Sequence, residues 1–166
     1  MSVIKFDTSN MQKILESQFV RFIDTTPTAN SPTWALVAAV EEDNAAIEYN
    51  PNIDRIKYIV DDAARTDHTS NDKQMSVPYQ AYKGDPCFEF VNAGRDKLNY
   101  VTHLLEIDLW DSNNSAYSAK MSDATISITS YNGKTIEFDV YADGDPKEGT
   151  VTISDNTPTF TPITSL

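Results

Sequence analysis

The second half of the chain alternates apolar and polar residues with the two-residue period of strands that bury one face. Leu105, Ile107 and Leu109 alternate with Glu106 and Asp108. Ile126 and Ile128 alternate with Thr125, Ser127 and Thr129, and Ile136, Phe138 and Val140 alternate with Thr135, Glu137, Asp139 and Tyr141. Between the last two rows stands Asn132-Gly133, a dipeptide suited to two-residue hairpin turns because both turn positions need left-handed backbone. The pattern predicts a hairpin with its aliphatic row in a core and Thr125, Ser127, Thr129, Glu137 and Asp139 on the opposite face. Residues 111–115 read as a loop, Asp143-Gly144-Asp145-Pro146 as the next turn, and residues 150–154 as the next strand.

Upstream, residues 34–40, 46–49 and 54–60 read as short strands, with the turn-prone Asn50-Pro51-Asn52 between the last two. Residues 61–71 are polar without an apolar period and predict an exposed loop of unusual length. Long ordered loops tend to carry function. Strand patterning resumes over 74–82. One helix is signalled at about 85–97: Asp85 supplies a capping carboxylate and Pro86 suits the first helical position. Cys87, Phe88, Val91 and Leu98 fit one flank of it, and Gly94 is placed to end it early. Residues 11–20 fit a short amphipathic helix capped by Ser9-Asn10, while residues 19–24 fit a strand equally well. Residues 157–162 cannot form a central strand, because Pro158 and Pro162 lack ladder donors.

These elements describe one domain over 1–166: an N-terminal segment and linker (1–33), a β core with its helix (34–156) and an extended C-terminal arm (157–166). The expected class is mainly β with one flanking α-helix, an α+β arrangement around an antiparallel β-sandwich or barrel-like core. The chain has 166 residues, enough for one proper core. No stretch approaches the apolar length a membrane helix requires. The opening residues lack the pattern of a signal peptide, so synthesis in a cytoplasm is expected.

The net charge of −12 disfavours a protein that grips DNA, since such grip comes from Lys and Arg on phosphates. The single cysteine, Cys87, leaves no internal disulfide, and His68 and His103 are far apart and in no ligand spacing. Asp61-Asp62 and Asp143-Gly144-Asp145 are the carboxylate pairs nearest to a calcium motif, but turn chemistry explains the second better. No nucleophile elbow, phosphate-cradling loop or zinc-protease motif occurs. No cofactor, no metal and no enzymatic activity are expected.

Three patches taken in order carry a resemblance. The first is Glu48-Tyr49-Asn50-Pro51 with Tyr58-Ile59-Val60-Asp61-Asp62. The second runs from Tyr79 through Gly84-Asp85-Pro86-Cys87-Phe88 to Phe90. The third is Asp143-Gly144-Asp145-Pro146-Lys147-Glu148-Gly149-Thr150-Val151 with Thr157-Pro158-Thr159-Phe160-Thr161-Pro162. Together, over roughly 34–162, they resemble the major tail proteins, or tail tube proteins, of siphophages and prophages of Gram-positive bacteria. Asn156 stands in the closing turn where Gly is expected, and the first thirty residues match nothing in the family pattern.

The resemblance implies a homo-oligomeric virion protein: hexameric rings stacked into a hollow tail tube that conducts the genome during DNA ejection. It also implies tape measure, tail terminator and distal tail proteins as partners, only transient and non-specific contact with DNA, and no membrane. On this reading Thr125, Ser127, Thr129, Glu137 and Asp139 are candidates for the lumen wall. Asp61, Asp62, Arg65, Thr66, Asp67, His68, Asp72 and Lys73 are candidates for an inter-subunit loop. Two other roles fit an acidic β-rich chain. One is a capsid decoration or head-completion protein. The other is a carbohydrate-binding β-sandwich displaying Trp34, Trp110, Tyr117 or Tyr141, residues that core or interface packing explains better.

Overall fold

The computed structural model describes residues 4 and 6–164. In chain order the strands are β1 (Phe19–Asp24), β2 (Trp34–Leu36), β3 (Ile47–Glu48), β4 (Pro51–Ile56), β5 (Arg65–Asn71), β6 (Gln74–Gln80), β7 (Tyr100–Asn113), β8 (Ala116–Tyr131), β9 (Thr135–Ser154) and β10 (Thr157–Pro162), and α1 (Pro86–Ala93) follows β6. Eight strands form one antiparallel sheet in the order β2-β1-β7-β8-β9-β6-β3, with β10 paired to β9. Strands β4 and β5 form a separate two-stranded ribbon.

The β8–β9 hairpin is the centre of the sheet and turns at the expected dipeptide. Gly133 takes φ 88°, and the Asn132 side-chain oxygen accepts the N–H groups of Lys134 (3.0 Å) and Thr135 (2.8 Å). Asp155 and Asn156 close the β9–β10 turn at φ 48° and 60°, so Asn supplies the left-handed backbone where Gly was expected. The β9 strand runs unbroken past 143–146: Asp143 pairs with Asp123 and Lys147 with Met121. The turn expected there is therefore a bulge. Gly, Asp and Pro suit a bulge as well as a reversal, and the long partner strand β8 keeps the chain in the sheet.

The sheet buries opposite faces at its two ends. At one end Ile23, Met75, Val77, Tyr79, Leu104, Ile126, Ile136, Phe138 and Val140 pack under α1 through Cys87 and Val91. At the other, Phe22, Leu105, Ile107, Ala119 and Val151 point the other way, covered by Val20, Trp34, Leu109, Tyr117, Met121 and Phe160. Phe22 and Ile23 are consecutive on β1 and belong to different cores, as their alternation requires. Each large side chain buried in this way contributes roughly 1.5–3 kcal/mol.

Helix α1 begins as expected. The Asp85 side chain accepts the Cys87 N–H at 3.0 Å, and the Tyr79 hydroxyl donates to its other oxygen at 2.6 Å. The helix ends at Ala93, not near 97, and Leu98 is exposed. Gly94 caps it, and packing requires a glycine there: a Cβ would lie 2.3 Å from the Tyr100 ring. That ring stacks on Phe90 with centroids 4.8 Å apart, and its hydroxyl donates to the Phe90 carbonyl.

Several sequence expectations are corrected. Residues 11–20 hold only a 3-10 turn, Glu16–Gln18, and β1 takes 19–24, so the β core begins before residue 34. Strand β2 stops at Leu36, and β4 stops at Ile56 instead of reaching 60. Strand β7 runs through the expected 111–115 loop to Asn113, leaving Asn114 and Ser115 as a tight turn at φ 52° and 66°. Residues 157–162 are a paired edge strand instead of an arm. The Ile163 N–H donates to the Glu148 carbonyl, so Pro158 and Pro162 face away from β9 and cost the ladder no donor. Part of the expected N-terminal segment (residues 1–3 and 5) and the end of the expected C-terminal arm (165–166) lie outside the described residues.

Candidate functional site

The hairpin pattern that buries Ile126, Phe138 and Val140 places the expected hydroxyl and carboxylate residues together on the other face. Register aligns Thr125 with Tyr141, Ser127 with Asp139, and Asp139 in turn with Ser76 on β6. Ser127, Thr129 and Glu137 are exposed; Thr125 and Asp139 are half-buried. A second β-bulge between Ile128 and Ser130 sets Thr129 beside Glu137, whose carbonyl accepts its hydroxyl at 3.2 Å.

The face extends beyond those five residues. Asp123 and Asp143 are paired in register, and Asp143 accepts the Thr125 hydroxyl at 3.0 Å. The Tyr141 hydroxyl donates to Asp139 at 3.2 Å, and this bond to a carboxylate raises the pKa of Tyr141. A shallow cleft of about 490 Å³ adds Asp43 and Glu48 beside Glu137 and Asp139. On the same side, β6 contributes Gln74, Ser76, Pro78 and Gln80. No Lys or Arg occupies this face of β6, β8 or β9 from Asp123 to Asp143. The alternation read over 125–129 continues back to Asp123, which that reading left out, and its partner Asp143 was hidden by reading 143–146 as a turn. Among the described residues no group of three His, Cys, Asp or Glu side chains is arranged to hold a metal ion.

The expected loop is largely a ribbon. Thr66, Asp67 and His68 lie on β5, opposite Arg55, Asp54 and Ile53 of β4. Every residue of β4 and β5 is exposed. A strand that buries neither face leaves no apolar alternation, so its polar sequence reads as loop; its backbone pairing alone defines it. Asp61 and Arg65 form an ion pair at 3.2 Å near the tip, where Arg65 also lies over the Tyr58 ring. Asp62 is exposed beside them.

The remaining loop candidates hold the ribbon's root. Asp72 accepts the Asn52 side-chain amide at 3.1 Å, while its N–H donates to the Asn50 carbonyl at 3.2 Å. Lys73 does not belong with the exposed set. Its ammonium is paired with Glu106 of β7, both side chains nearly buried, and it sits 5.5 Å from the centre of the Tyr49 ring. The signal for Glu106 was misleading, because alternation with Leu105 and Ile107 assigned it to a wet face. Nearby Arg21 is also buried. It donates to the Ala45 carbonyl at 2.9 Å, and desolvation lowers its pKa.

Of the aromatics considered for sugar binding, Trp34 and Tyr117 pack on the second core, whereas Trp110 and Tyr141 are exposed. No protein-family model matches the sequence, and no curated protein matches it. Among solved structures it is similar to a chain of the SPP1 tail tube, determined by solid-state NMR and cryo-electron microscopy. The TM-score is 0.59 at 13% sequence identity, over 87% of this chain and 82% of that one. At that identity the likeness is one of fold. The mainly antiparallel β architecture with one helix, expected from the sequence, is thus an architecture also found in a tail tube protein.

Proposed function

We propose that this chain is a structural subunit of a phage tail tube, one of six in a ring, with stacked rings enclosing a channel for DNA. The observation that carries the proposal is the face of hydroxyls and carboxylates on β6, β8 and β9, which holds no basic side chain between Asp123 and Asp143. The likeness in fold to the SPP1 tail tube chain supports it. The finer assignment, to a siphophage or prophage of a Gram-positive host, rests on the three sequence patches.

Turned toward a channel, Glu137, Asp139, Asp123 and Asp143 repeat around the ring as circles of negative charge. Phosphates passing within the Debye length, about 8 Å at physiological salt, are repelled. The hydroxyls of Thr125, Ser127 and Thr129 keep the wall wet without adding positive charge that would hold DNA. The role needs no reaction, and its partners are further copies of the chain and the tape measure, terminator and distal proteins of a tail. The ribbon residues Asp61, Asp62, Arg65, Thr66, Asp67 and His68 reach toward a neighbour, while Asp72 and Lys73 fix the direction in which they project.

Electron microscopy of the purified, concentrated protein tests this. Hollow tubes with a regular ring repeat are expected. A uniform population of monomers or trimers at every concentration would overturn the reading and favour a decoration protein.

A further inference from the structure

The ribbon ends in an apolar tip that its own subunit leaves largely uncovered. Ile59 is 103% exposed, Val60 87% and Tyr58 56%, with Ile53 and Ile56 also open along the stem. A two-stranded ribbon is marginal by itself in water and needs a surface to pack on. Clustered exposed aliphatic residues of this kind mark a docking site.

The same chain carries a matching hollow elsewhere. Between β2 and β10 runs a groove of about 520 Å³ lined by Pro32, Trp34, Met121, Lys147, Pro158 and Phe160. Its floor is the outer layer of the second core. Its β10 wall cannot accept an added strand, because Pro158 and Pro162 occupy outward positions and have no N–H. An occupant must therefore bind through side chains. The groove's single charge is Lys147, which has no ion-pair partner among the described residues, and the tip is flanked by Asp61 and Asp62. Asp61 already pairs with Arg65, which leaves Asp62 to meet Lys147.

We infer that Tyr58-Ile59-Val60 of one copy seats in the β2–β10 groove of a second copy, with Asp62 facing Lys147. The inference deepens the tube proposal and rests on it only for the final architecture. The ribbon leaves the sheet beside β3 and β6, whereas the groove is built from β2, at the other end of the strand order, and from β10, which pairs with the far part of β9. Key and socket therefore occupy different places on one molecule. Such a contact is heterologous, so each copy that binds a neighbour still offers a free site, and association continues until a ring closes or a filament grows.

Disulfide trapping tests the contact directly. The chain's own Cys87 is buried and does not compete. The double variant Ile59→Cys with Thr157→Cys, oxidised at high protein concentration, should give a ladder of dimers, trimers and longer species on non-reducing gels. Each single variant should give no ladder. Because Ile59 and Val60 are almost fully exposed, Ile59→Asp with Val60→Asp should leave the fold intact by circular dichroism and weaken self-association at least tenfold by sedimentation. No ladder, or dimers from Ile59→Cys alone, would overturn the inference, as would undiminished association of the aspartate variant. Microscopy of the unmodified protein separates this result from the tube reading: tubes without the ladder sink only the key and socket, and the ladder without tubes sinks only the tube.

Discussion

Leu104 and Leu105 are consecutive on β7 and both are buried, at 1% and 0% exposure, yet they belong to different cores on opposite faces of the sheet. The two cores meet back to back at this dipeptide and at Phe22-Ile23 on the neighbouring strand. Leu104→Val and Leu105→Val should each cost roughly 1 kcal/mol, the loss of one buried methylene plus incomplete repacking. Because the side chains share no core, the double variant should lose the sum of the two within about 0.5 kcal/mol. Urea unfolding of the four proteins measures this. A large departure from additivity would mean that the cores are one cooperative packing unit across the sheet.

The Lys73–Glu106 pair holds the ribbon's root to β7, with both side chains nearly buried. Removing one partner strands the other charge in a dry site, so Lys73→Met should destabilise the protein by about 3–5 kcal/mol. Replacing both, Lys73→Met with Glu106→Leu, should recover most of that loss, because two apolar groups leave no unpaired charge. Thermal unfolding checks the stability. A double variant as unstable as the single one would refute the assignment.

This pair also marks where the sequence was legible. Alternation reports one buried face, and over 125–141 that suffices: the β8–β9 hairpin, its turn and its polar face follow from periodicity and Asn132-Gly133. It fails where both faces are buried, as at 102–107 of β7, and Glu106 was read as wet for that reason. It also fails where neither face is buried, as in β4 and β5, whose pairing is carried by the backbone. The candidate lumen residues were thus recoverable from sequence. The buried role of Lys73 depended on a contact with a residue 33 positions away, which no local pattern encodes.

Cys87 and Tyr79 predict a response to alkali. Burial pushes the Cys87 thiol from 9.0 up to about 12, and burial likewise raises Tyr79 above its ordinary 10.0. Both groups are neutral acids in the folded state, and the unfolded chain releases their protons first. The Cys87 contribution is present in full below about pH 9 and is lost as pH rises from there toward 12, while that of Tyr79 begins to be lost only above about pH 10. The unfolding temperature should fall over this window, less steeply in Cys87→Ala. At pH 8 the native thiol should resist a thiol reagent that labels it quickly in denaturant. Rapid labelling of the native protein would contradict the burial of this residue between α1 and the sheet.

The sharpest prediction concerns the acidic face. Glu137 is exposed, Asp139 is half-buried, and neither carboxylate forms an ion pair among the described residues. Glu137→Lys with Asp139→Lys should therefore fold with a stability within about 1 kcal/mol of the parent, since it breaks no ion pair, loses only the exposed hydrogen bond from Tyr141 and disturbs no core. It does change the sign of the field where the strands align. If six copies line a channel, twelve carboxylates per ring become twelve ammonium groups, and phosphates that were repelled are held at each ring. Assembled particles carrying this variant should then retain their DNA and eject it slowly, an effect that added salt partly relieves by screening. The same reversal at Glu41 and Glu42, exposed in the loop before β3 and outside the cleft that holds Glu137 and Asp139, adds equal charge and should leave ejection unchanged. Ejection measured by release of a DNA-binding dye signal separates the cases. If the hairpin variant ejects as fast as the loop variant, the face of β8 and β9 does not meet DNA, and the channel wall must be sought on another surface.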